Sequence, residues 1–297
     1  MRAKKVSNFK KKSTPYLYLL PTIILMFLLL IIPIGMVVGY SFFDNVIIND
    51  NPKFVGLQNY IEILQDKTFL IAVKNTLYFV GVSVAAHLLL GVAFAMLLNT
   101  RYLGTKTKAL FRVLYVLPWM FTASVIAILW KMMLNPSGIV NYLLEVLRLS
   151  GNQIEWLGSR QFALLSVTFI NIWSGYPFYM ISILAGLQGI STDLYEASSL
   201  DGANSIQQFF RITIPQLKPI LISLIMLDFV WTIQQFALIW MTTGGGPINA
   251  TEMLSTYIYK QGFSKYQYSM ASASACIVLV VCTIIAVFYV RHQKARD

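Results

Sequence analysis

Long apolar stretches separated by short polar segments dominate the pattern of this chain. Six of them reach about twenty residues or more, which is the length needed to cross the hydrocarbon core of a bilayer. They cover residues 17–40, 70–98, 110–134, 162–187, 217–241 and 270–290. Because backbone polar groups inside lipid must be satisfied within the segment, each stretch is predicted to be a helix. The pattern predicts an all-α polytopic membrane protein with six transmembrane helices.

The composition agrees with this pattern. Hydrophobic residues make up 57% of the chain, charged residues only 12%, and the mean hydropathy is +0.65, which lies outside the range of ordinary soluble domains. The formal net charge of +11 comes from Lys and Arg at the edges of the apolar stretches, where such residues set topology and meet anionic lipid. The sequence lacks the interleaving of aromatic and basic residues that would indicate a nucleic-acid surface. The predicted partner is therefore a lipid bilayer and not a nucleic acid.

The distribution of Lys and Arg predicts the orientation of the helices. With the N-terminus inside, fifteen of the 23 basic residues fall on the cytoplasmic side and eight on the other side or at its margins. Both termini are therefore predicted to be cytoplasmic. The basic N-terminus followed by the stretch 17–40 also resembles a secretory signal. That stretch is too long for one and no small-residue cleavage site follows it, which favours an uncleaved first span.

One polar segment, residues 193–216 between the fourth and fifth stretches, has the pattern of two short helices; we call it the elbow. Asp193 is predicted to cap the first helix, with Glu196 three residues later as its capping-box partner. Gly202 then supplies a left-handed stop, which few other residues tolerate.

The second short helix of the elbow shows the same kind of start. Asn204 and Gln207 repeat the capping pattern, and Pro215 is predicted to end the helix because it lacks an amide donor. Two short helices at a fixed angle outside the membrane form a rigid feature that a partner protein can bind.

The elbow resembles the signature cytoplasmic loop of permease subunits in binding-protein-dependent ATP-binding-cassette importers. That signature is Glu-Ala-Ala, a Gly four residues after the last Ala, and Ile-x-Leu-Pro at a fixed distance. Ser198 and Ile214 depart from its Ala and Leu, and both departures are conservative in size. The resemblance implies the type I importer permease fold, and it implies that the residues coupling the permease to an ATPase are Glu196, Ala197, Ser198, Asp201, Gly202, Ala203, Ile212 and Pro215.

The same resemblance implies a set of partners. It implies one permease domain over residues 1–297, with a core at about 70–290, in the cytoplasmic membrane of a bacterium or archaeon. Its partners would be a dimer of ATPases that bind ATP and Mg²⁺, a homologous second permease in a heterodimer, and an extracytoplasmic solute-binding protein. The chain has no Gly-x-x-x-x-Gly-Lys-Ser/Thr loop, so ATP hydrolysis is assigned to a partner. We expect a transporter subunit that is not an enzyme and carries no cofactor of its own.

Two outer loops resemble the carbohydrate-uptake branch of these importers. One loop reads Phe-Val-Gly-Leu-Gln-Asn-Tyr over residues 54–60, and the other reads Thr-Gly-Gly-Gly-Pro over residues 243–247 with Ala250-Thr251 just after. Together with Asp-Gly-Ala in the elbow, they imply import of a mono- or oligosaccharide. A polyol or a sugar phosphate is the alternative solute.

A carboxylate inside the fifth stretch marks a candidate solute path. A lipid-facing Asp228 would cost at least ~2.5 kcal/mol, so it is expected to face other helices or a water-filled path. At helical spacing Trp231 and Gln235 share its face, with Gln234 beside them. An aromatic ring with amide and carboxylate groups suits a sugar, whose ring face stacks while its hydroxyls take hydrogen bonds. The alternative for Asp228 is a brace of the helix bundle.

The fourth stretch adds Asn171, Ser174 and Tyr176 to the candidate path, although polar residues also hold membrane helices together. His87 is interpreted as a packing residue whose hydrogen bonds are satisfied. Three tryptophans near predicted span ends are interpreted as interfacial anchors: Trp119, Trp130 and Trp156.

No catalytic or metal-binding set of residues accompanies the path. The two histidines are far apart, and no Cys and His residues have metal-ligand spacing. An ion-coupled secondary carrier is the alternative function, and such a carrier is expected to show repeated halves and several intramembrane acids. Asp228 is the only acid within a predicted span. This favours an importer permease over a carrier, and over a membrane enzyme.

Overall fold

The structure is a computed structural model that describes residues 16–100, 102–149 and 152–294. The N-terminal basic cluster, Arg101 and Arg296, which entered the orientation argument, lie outside the described residues. Within the described ranges the chain is helical, and its one pairing of extended residues is an isolated bridge between Phe43 and Phe54. The prediction of an all-α protein is confirmed.

The helices of the described residues follow one another along the chain. They are α1 Tyr16–Tyr40, α2 Gln58–Gln65, α3 Lys67–Asn99, α4 Thr105–Met120, α5 Ala123–Met133, α6 Ile139–Val146, α7 Ala163–Gln188, α8 Thr192–Leu200, α9 Ser205–Ile233, α10 Ala237–Thr242, α11 Leu254–Tyr259 and α12 Tyr268–Lys294. Among them α1, α3, α7, α9 and α12 are long and apolar enough to cross a membrane. Counting α4 and α5 as one bent span gives the predicted six.

Two of the predicted spans are not single straight helices. The stretch 110–134 bends by 97° between α4 and α5, where Phe121 is extended and the Thr122 side chain caps α5 by accepting from the Val125 amide. The stretch 217–241 is interrupted between Ile233, where α9 ends, and Ala237, where α10 begins. Hydropathy records length and polarity, so it does not detect a break of a few residues inside an apolar run.

The chain divides into two compact units. One contains the residues up to Leu64 and Ile258–Leu279, and the other contains Gln65–Tyr257 and the residues from Val280 onward.

In the first unit, the motif at residues 54–60 holds the loop that follows α1. The side-chain amide of Asn59 donates to the carbonyls of Ser41 and Phe43 at 2.8 and 2.9 Å. The Tyr60 hydroxyl donates to the Ser41 hydroxyl at 2.7 Å. The motif therefore fixes the start of α2 against the end of α1.

In the second unit, the Thr-Gly-Gly-Gly-Pro motif forms a tight turn after α10. Gly244 and Gly245 have φ angles of +60° and +90°, a region that favours glycine. The Thr251 hydroxyl donates to the Gly246 carbonyl at 2.7 Å, and the Asn75 amide of α3 donates to the Glu252 carbonyl at 3.1 Å. The motif is therefore a hydrogen-bonded turn anchored on α3.

The core of the second unit depends on close approach of α3, α7 and α9. A Cβ on Gly91 would stand 2.4 Å from the Tyr179 Cβ, so only glycine fits where α3 crosses α7. Toward the C-terminal ends of α3 and α7 the core contains three side chains that are fully or almost fully buried: Leu98, Ile183 and Leu217. This packing sets the distances between the three helices.

Candidate functional site: the elbow and the cavity

The elbow begins two residues earlier than predicted. Ser191 caps α8 by accepting a hydrogen bond from the Asp193 amide at 3.3 Å, and Asp193 lies in the first turn, where an acid is favoured by the helix dipole. The prediction of Asp193 as the cap, with Glu196 as its capping-box partner, was wrong. Ser-Thr-Asp offers three capping residue types in succession, and the sequence alone does not rank them.

The turn of the elbow is confirmed. Gly202 has a φ angle of +80° after the last turn of α8, and the Ala203 amide donates to the Ser198 carbonyl at 2.9 Å. The capping box of the second helix is also present. The Asn204 side chain accepts from the Gln207 amide, and the Gln207 side chain accepts from the Asn204 amide, both at 2.9 Å.

The second helix of the elbow does not end at Pro215, as predicted. It continues as α9 to Ile233, with a π turn at Phe209–Thr213 immediately before the proline. The widened turn is a common way to pass a residue that lacks an amide donor without ending the helix. The elbow is thus one short helix joined through Gly202 to the start of the fifth span.

Hydrogen bonds of Gln208 and Tyr195, which the sequence analysis did not identify, hold the two arms of the elbow together. The Gln208 side-chain nitrogen lies 3.0 Å from the Ser198 hydroxyl and 2.9 Å from the Ser199 hydroxyl. The Tyr195 hydroxyl lies 2.9 Å from the Thr213 hydroxyl. The departure of Ser198 from the family's Ala was the available signal, because that hydroxyl gives Gln208 an acceptor.

The predicted coupling residues lie on this elbow with different exposure. Glu196, Ala197, Asp201, Gly202 and Pro215 are exposed, whereas Ser198, Ala203 and Ile212 are half-buried. Three apolar side chains beside them are also exposed, namely Leu200 at 91%, Ile206 at 69% and Phe210 at 65%.

A cavity of about 250 Å³ lies where the two interrupted spans meet α3 and α7. It is lined by His87, Trp119, Phe121, Ala123, Ile126, Asn171, Ser174, Gly175, Asp228, Trp231, Thr232, Gln235 and Leu238. Phe121 is at the bend between α4 and α5, and Gln235 is in the break between α9 and α10. Both breaks therefore border the cavity.

Five of the seven predicted path residues come together here: Asp228, Trp231, Gln235, Asn171 and Ser174. The other two do not line it. The Tyr176 hydroxyl donates to the Tyr115 carbonyl at 3.3 Å, and the Gln234 amide nitrogen lies 3.8 Å from the Cys282 sulfur. Gln234 was placed beside the path on the assumption of a continuous helix, but α9 ends at Ile233.

Asp228 is held by two side chains inside the cavity wall. His87 Nδ1 lies 2.8 Å from one carboxylate oxygen, and the Thr232 hydroxyl donates to the other at 2.9 Å. His87 Nε2 lies 3.1 Å from the Asn171 carbonyl. Both ring nitrogens of His87 therefore have partners, as predicted, but His87 also lines the cavity, so its interpretation as a packing residue stays a prediction. Its pairing with Asp228 across 141 residues was not predicted.

Aromatic rings form another part of the cavity wall. Trp119 and Phe178 stack with centroids 5.9 Å apart, and Phe178 and Trp231 lie 5.4 Å apart. The Trp231 side chain is 52% exposed, so its ring is accessible. The interpretation of Trp119 and Trp130 as interfacial anchors does not fit these positions, because Trp119 lines the cavity and Trp130 is buried between α5 and α7.

The amide groups complete the wall. The Asn171 side-chain nitrogen is buried and finds no hydrogen-bond partner among the described residues. Such a group is costly unless a ligand or water pairs with it. Ser174 and Gln235 add a hydroxyl and a second amide to the same wall. The arrangement can bind a solute by stacking and by neutral hydrogen bonds.

The chain was compared with known proteins. Residues 88–296 match the family of the binding-protein-dependent transport system inner membrane component. The chain is 33% identical over 286 residues to the probable ABC transporter permease protein YurN of Bacillus subtilis, covering 96% of this chain and 97% of that protein. It is 31% identical over 290 residues to the trehalose/maltose transport system permease protein MalF of Thermococcus litoralis, covering 97% and 96%.

A solved structure agrees over the whole length. A chain in the crystal structure of a bacterial ABC transporter involved in the import of the acidic polysaccharide alginate matches with a TM-score of 0.83 at 25% identity, covering 98% of this chain and 99% of that chain. The match favours the importer permease over the ion-coupled carrier. Family, spans and signature loop agree: the chain belongs to the inner membrane components of binding-protein-dependent transport systems, and it is an integral membrane permease subunit of an ABC importer.

Proposed function

We propose that this chain moves a sugar across the cytoplasmic membrane through the cavity, and that ATP hydrolysis in a separate ATPase dimer drives the movement. The observation that carries the proposal is the cavity wall, which combines an exposed tryptophan ring with neutral hydrogen-bonding groups between membrane-spanning helices, among them the unpaired Asn171 amide nitrogen. The relative named for trehalose and maltose and the structural neighbour named for alginate support a carbohydrate as the solute.

The elbow is the proposed contact with the ATPase, which would bind ATP and Mg²⁺. Exposed apolar side chains that flank a rigid turn are typical of a protein interface. Leu200, Ile206 and Phe210 provide them, and the acidic Glu196 and Asp201 lie on the same feature. A homologous second permease and an external solute-binding protein complete the proposed importer, with both termini of this chain in the cytoplasm.

Reconstitution tests the proposal. This chain is expressed with its neighbouring transporter subunits, purified, and placed in vesicles loaded with ATP or with a non-hydrolysable analogue. We expect an ATPase to co-purify, and labelled sugar to accumulate only with ATP and the solute-binding protein. Accumulation driven by an ion gradient without an ATPase would contradict the proposal.

The proposed orientation can be tested with single cysteines in a background lacking Cys276 and Cys282. Ile248, which is 80% exposed, lies on the proposed outer side, and the exposed Ser205 lies in the elbow. We expect Ile248→Cys to react in intact cells with a membrane-impermeant maleimide and Ser205→Cys to react only after permeabilisation. The reverse pattern would overturn the orientation.

The cavity wall can be tested at Trp231 and Gln235. Trp231→Ala removes a stacking surface worth roughly 1 kcal/mol, and Gln235→Ala removes an amide worth about 1–3 kcal/mol in a confined site. We expect each to reduce uptake by roughly fivefold to a hundredfold while complex assembly and basal ATPase activity persist. Gln234→Ala is the matched control, because the neighbouring amide does not line the cavity. Equal reductions of uptake in Gln235→Ala and Gln234→Ala would show that the solute path lies elsewhere.

A further inference from the structure

The ionisable groups of the cavity wall satisfy each other. Among the lining residues only His87 and Asp228 are ionisable, and they are paired at 2.8 Å. The second carboxylate oxygen accepts from Thr232, and the second ring nitrogen of His87 faces the Asn171 carbonyl. No Lys or Arg contributes to the lining. This chain therefore offers a solute in the cavity no free positive charge.

The lack of a basic residue in the lining matters because a buried charge is unfavourable unless it is paired with an opposite charge. A phosphate, sulfonate or uronate in this cavity would lose water without gaining an ion pair. It would also lie near the Asp228 carboxylate, whose partners are already assigned within the protein. Breaking the His87–Asp228 pair to serve an anion would leave Asp228 unpaired in its place.

The groups that are open to a ligand are uncharged. The Asn171 amide nitrogen is buried and unpaired, and the Gln235 amide lines the same wall. The Ser174 hydroxyl donates to the Asn171 carbonyl at 3.1 Å, and its oxygen can still accept from a ligand. The Trp231 ring offers an accessible face beside them. Hydroxyl groups and the apolar face of a sugar ring match this set, since they require neutral donors, neutral acceptors and an aromatic surface.

The size of the cavity limits how much sugar it holds. Its volume of about 250 Å³ is below the roughly 300–1,000 Å³ usual for pockets that bind drug-sized ligands. A single sugar ring is smaller than such ligands, whereas an oligosaccharide is not. The wall provided by this chain therefore contacts one ring of a longer solute at a time.

We propose that this cavity selects an uncharged sugar, one ring at a time, and discriminates against sugar phosphates, sulfonates and uronates. The inference rests on the proposed function, because it assumes that the cavity is part of the solute path. It distinguishes this chain from the structural neighbour that serves the import of an acidic polysaccharide.

The test uses the whole permease–ATPase complex in nanodiscs without the solute-binding protein, so that the selectivity measured is that of the membrane subunits. Binding is followed by saturation-transfer NMR with ligands that share a ring and differ in charge. One set is glucose, glucuronate and glucose 6-phosphate, and a second is maltose and maltobionate. We expect the neutral member of a set to bind at least tenfold more tightly than its anionic counterparts.

A lysine introduced into the cavity wall provides a second arm of the test. We expect Gln235→Lys to narrow the difference between neutral and anionic ligands by at least tenfold, and Gln234→Lys to leave the difference unchanged. Equal or tighter binding of glucuronate or glucose 6-phosphate to the unaltered complex would overturn the inference alone. Absence of binding by every sugar, neutral and anionic, would overturn the proposed function and this inference with it.

Discussion

Replacing Asp228 by alanine is expected to lower the amount of folded protein sharply, with loss of sugar uptake as a consequence. The change removes one partner of the buried His87–Asp228 pair and leaves the Thr232 hydroxyl without its acceptor. Losing one member of a buried pair costs about 3–5 kcal/mol, because the remaining polar group stays buried without a partner. His87→Ala is expected to have a similar effect. Thermal unfolding of each purified variant, monitored by fluorescence-detected gel filtration, measures the loss of stability.

A double variant separates loss of the pair from loss of packing. If the pair acts as a brace, His87→Leu combined with Asp228→Leu should be more stable than the sum of the single effects predicts, since neither member of the pair is left buried without the other. Asp228→Asn should retain most of the folded protein, because the amide keeps one acceptor and the shape of the side chain. An Asp228→Ala protein that folds normally yet fails to transport would show that the carboxylate is a solute ligand and not a brace.

Glycine variants provide an independent check on the same contact. A Cβ on Gly175 would stand 2.3 Å from His87 Nε2, so Gly175→Ala should displace the histidine from Asp228. Gly81→Ala in α3 is the matched control, because nothing lies within 4 Å of a Cβ at that position. The first substitution should reduce stability and uptake, and the second should change neither.

The features that were predicted from sequence are those encoded locally. Apolar stretches give the spans, and the spacing of Gly202 and the capping box at Asn204 gives the turn of the elbow, since each depends on residues close together in the chain. The pairing of His87 with Asp228 depends on the packing of α3 against α9. No local pattern specifies which of several polar residues will meet when two helices approach.

The main errors of the sequence analysis in the membrane lie at the cavity. The bend at Phe121 and the break between α9 and α10, which contains Gln235, interrupt helices within apolar runs, and both border the cavity. Irregular backbone at membrane depth is tolerated where it is buried in protein or lines a water-filled space. Breaks of this kind are also typical of solute sites in transporters. The departure from a continuous helix is thus itself support for a path at this point.

Replacing Gly202 by aspartate is expected to abolish most sugar uptake while the protein still folds and inserts. The φ angle of +80° is unfavourable for any residue with a Cβ, and the strain is about 1–2 kcal/mol, which is small relative to the stability of a folded domain. No atom of the described residues lies within 4 Å of a Cβ at this position, so a Cβ there meets no clash. The expected damage is a change in the angle of the elbow and in the surface offered to the ATPase. Uptake into vesicles, ATPase stimulation by loaded binding protein and the unfolding temperature are measured together.

Gly104→Asp is the matched control for this experiment. Gly104 also has nothing within 4 Å of a Cβ, but its φ angle of −65° is ordinary, so the same substitution there adds a charge without backbone strain. Glu196→Lys should resemble Gly202→Asp, because it reverses the charge of an exposed residue on the elbow while leaving the fold intact. Stimulated ATPase activity should fall at least tenfold in both elbow variants and stay near the unaltered value in Gly104→Asp. A stably inserted Gly202→Asp protein that still transports sugar at the normal rate would show that the elbow does not transmit the energy of ATP hydrolysis.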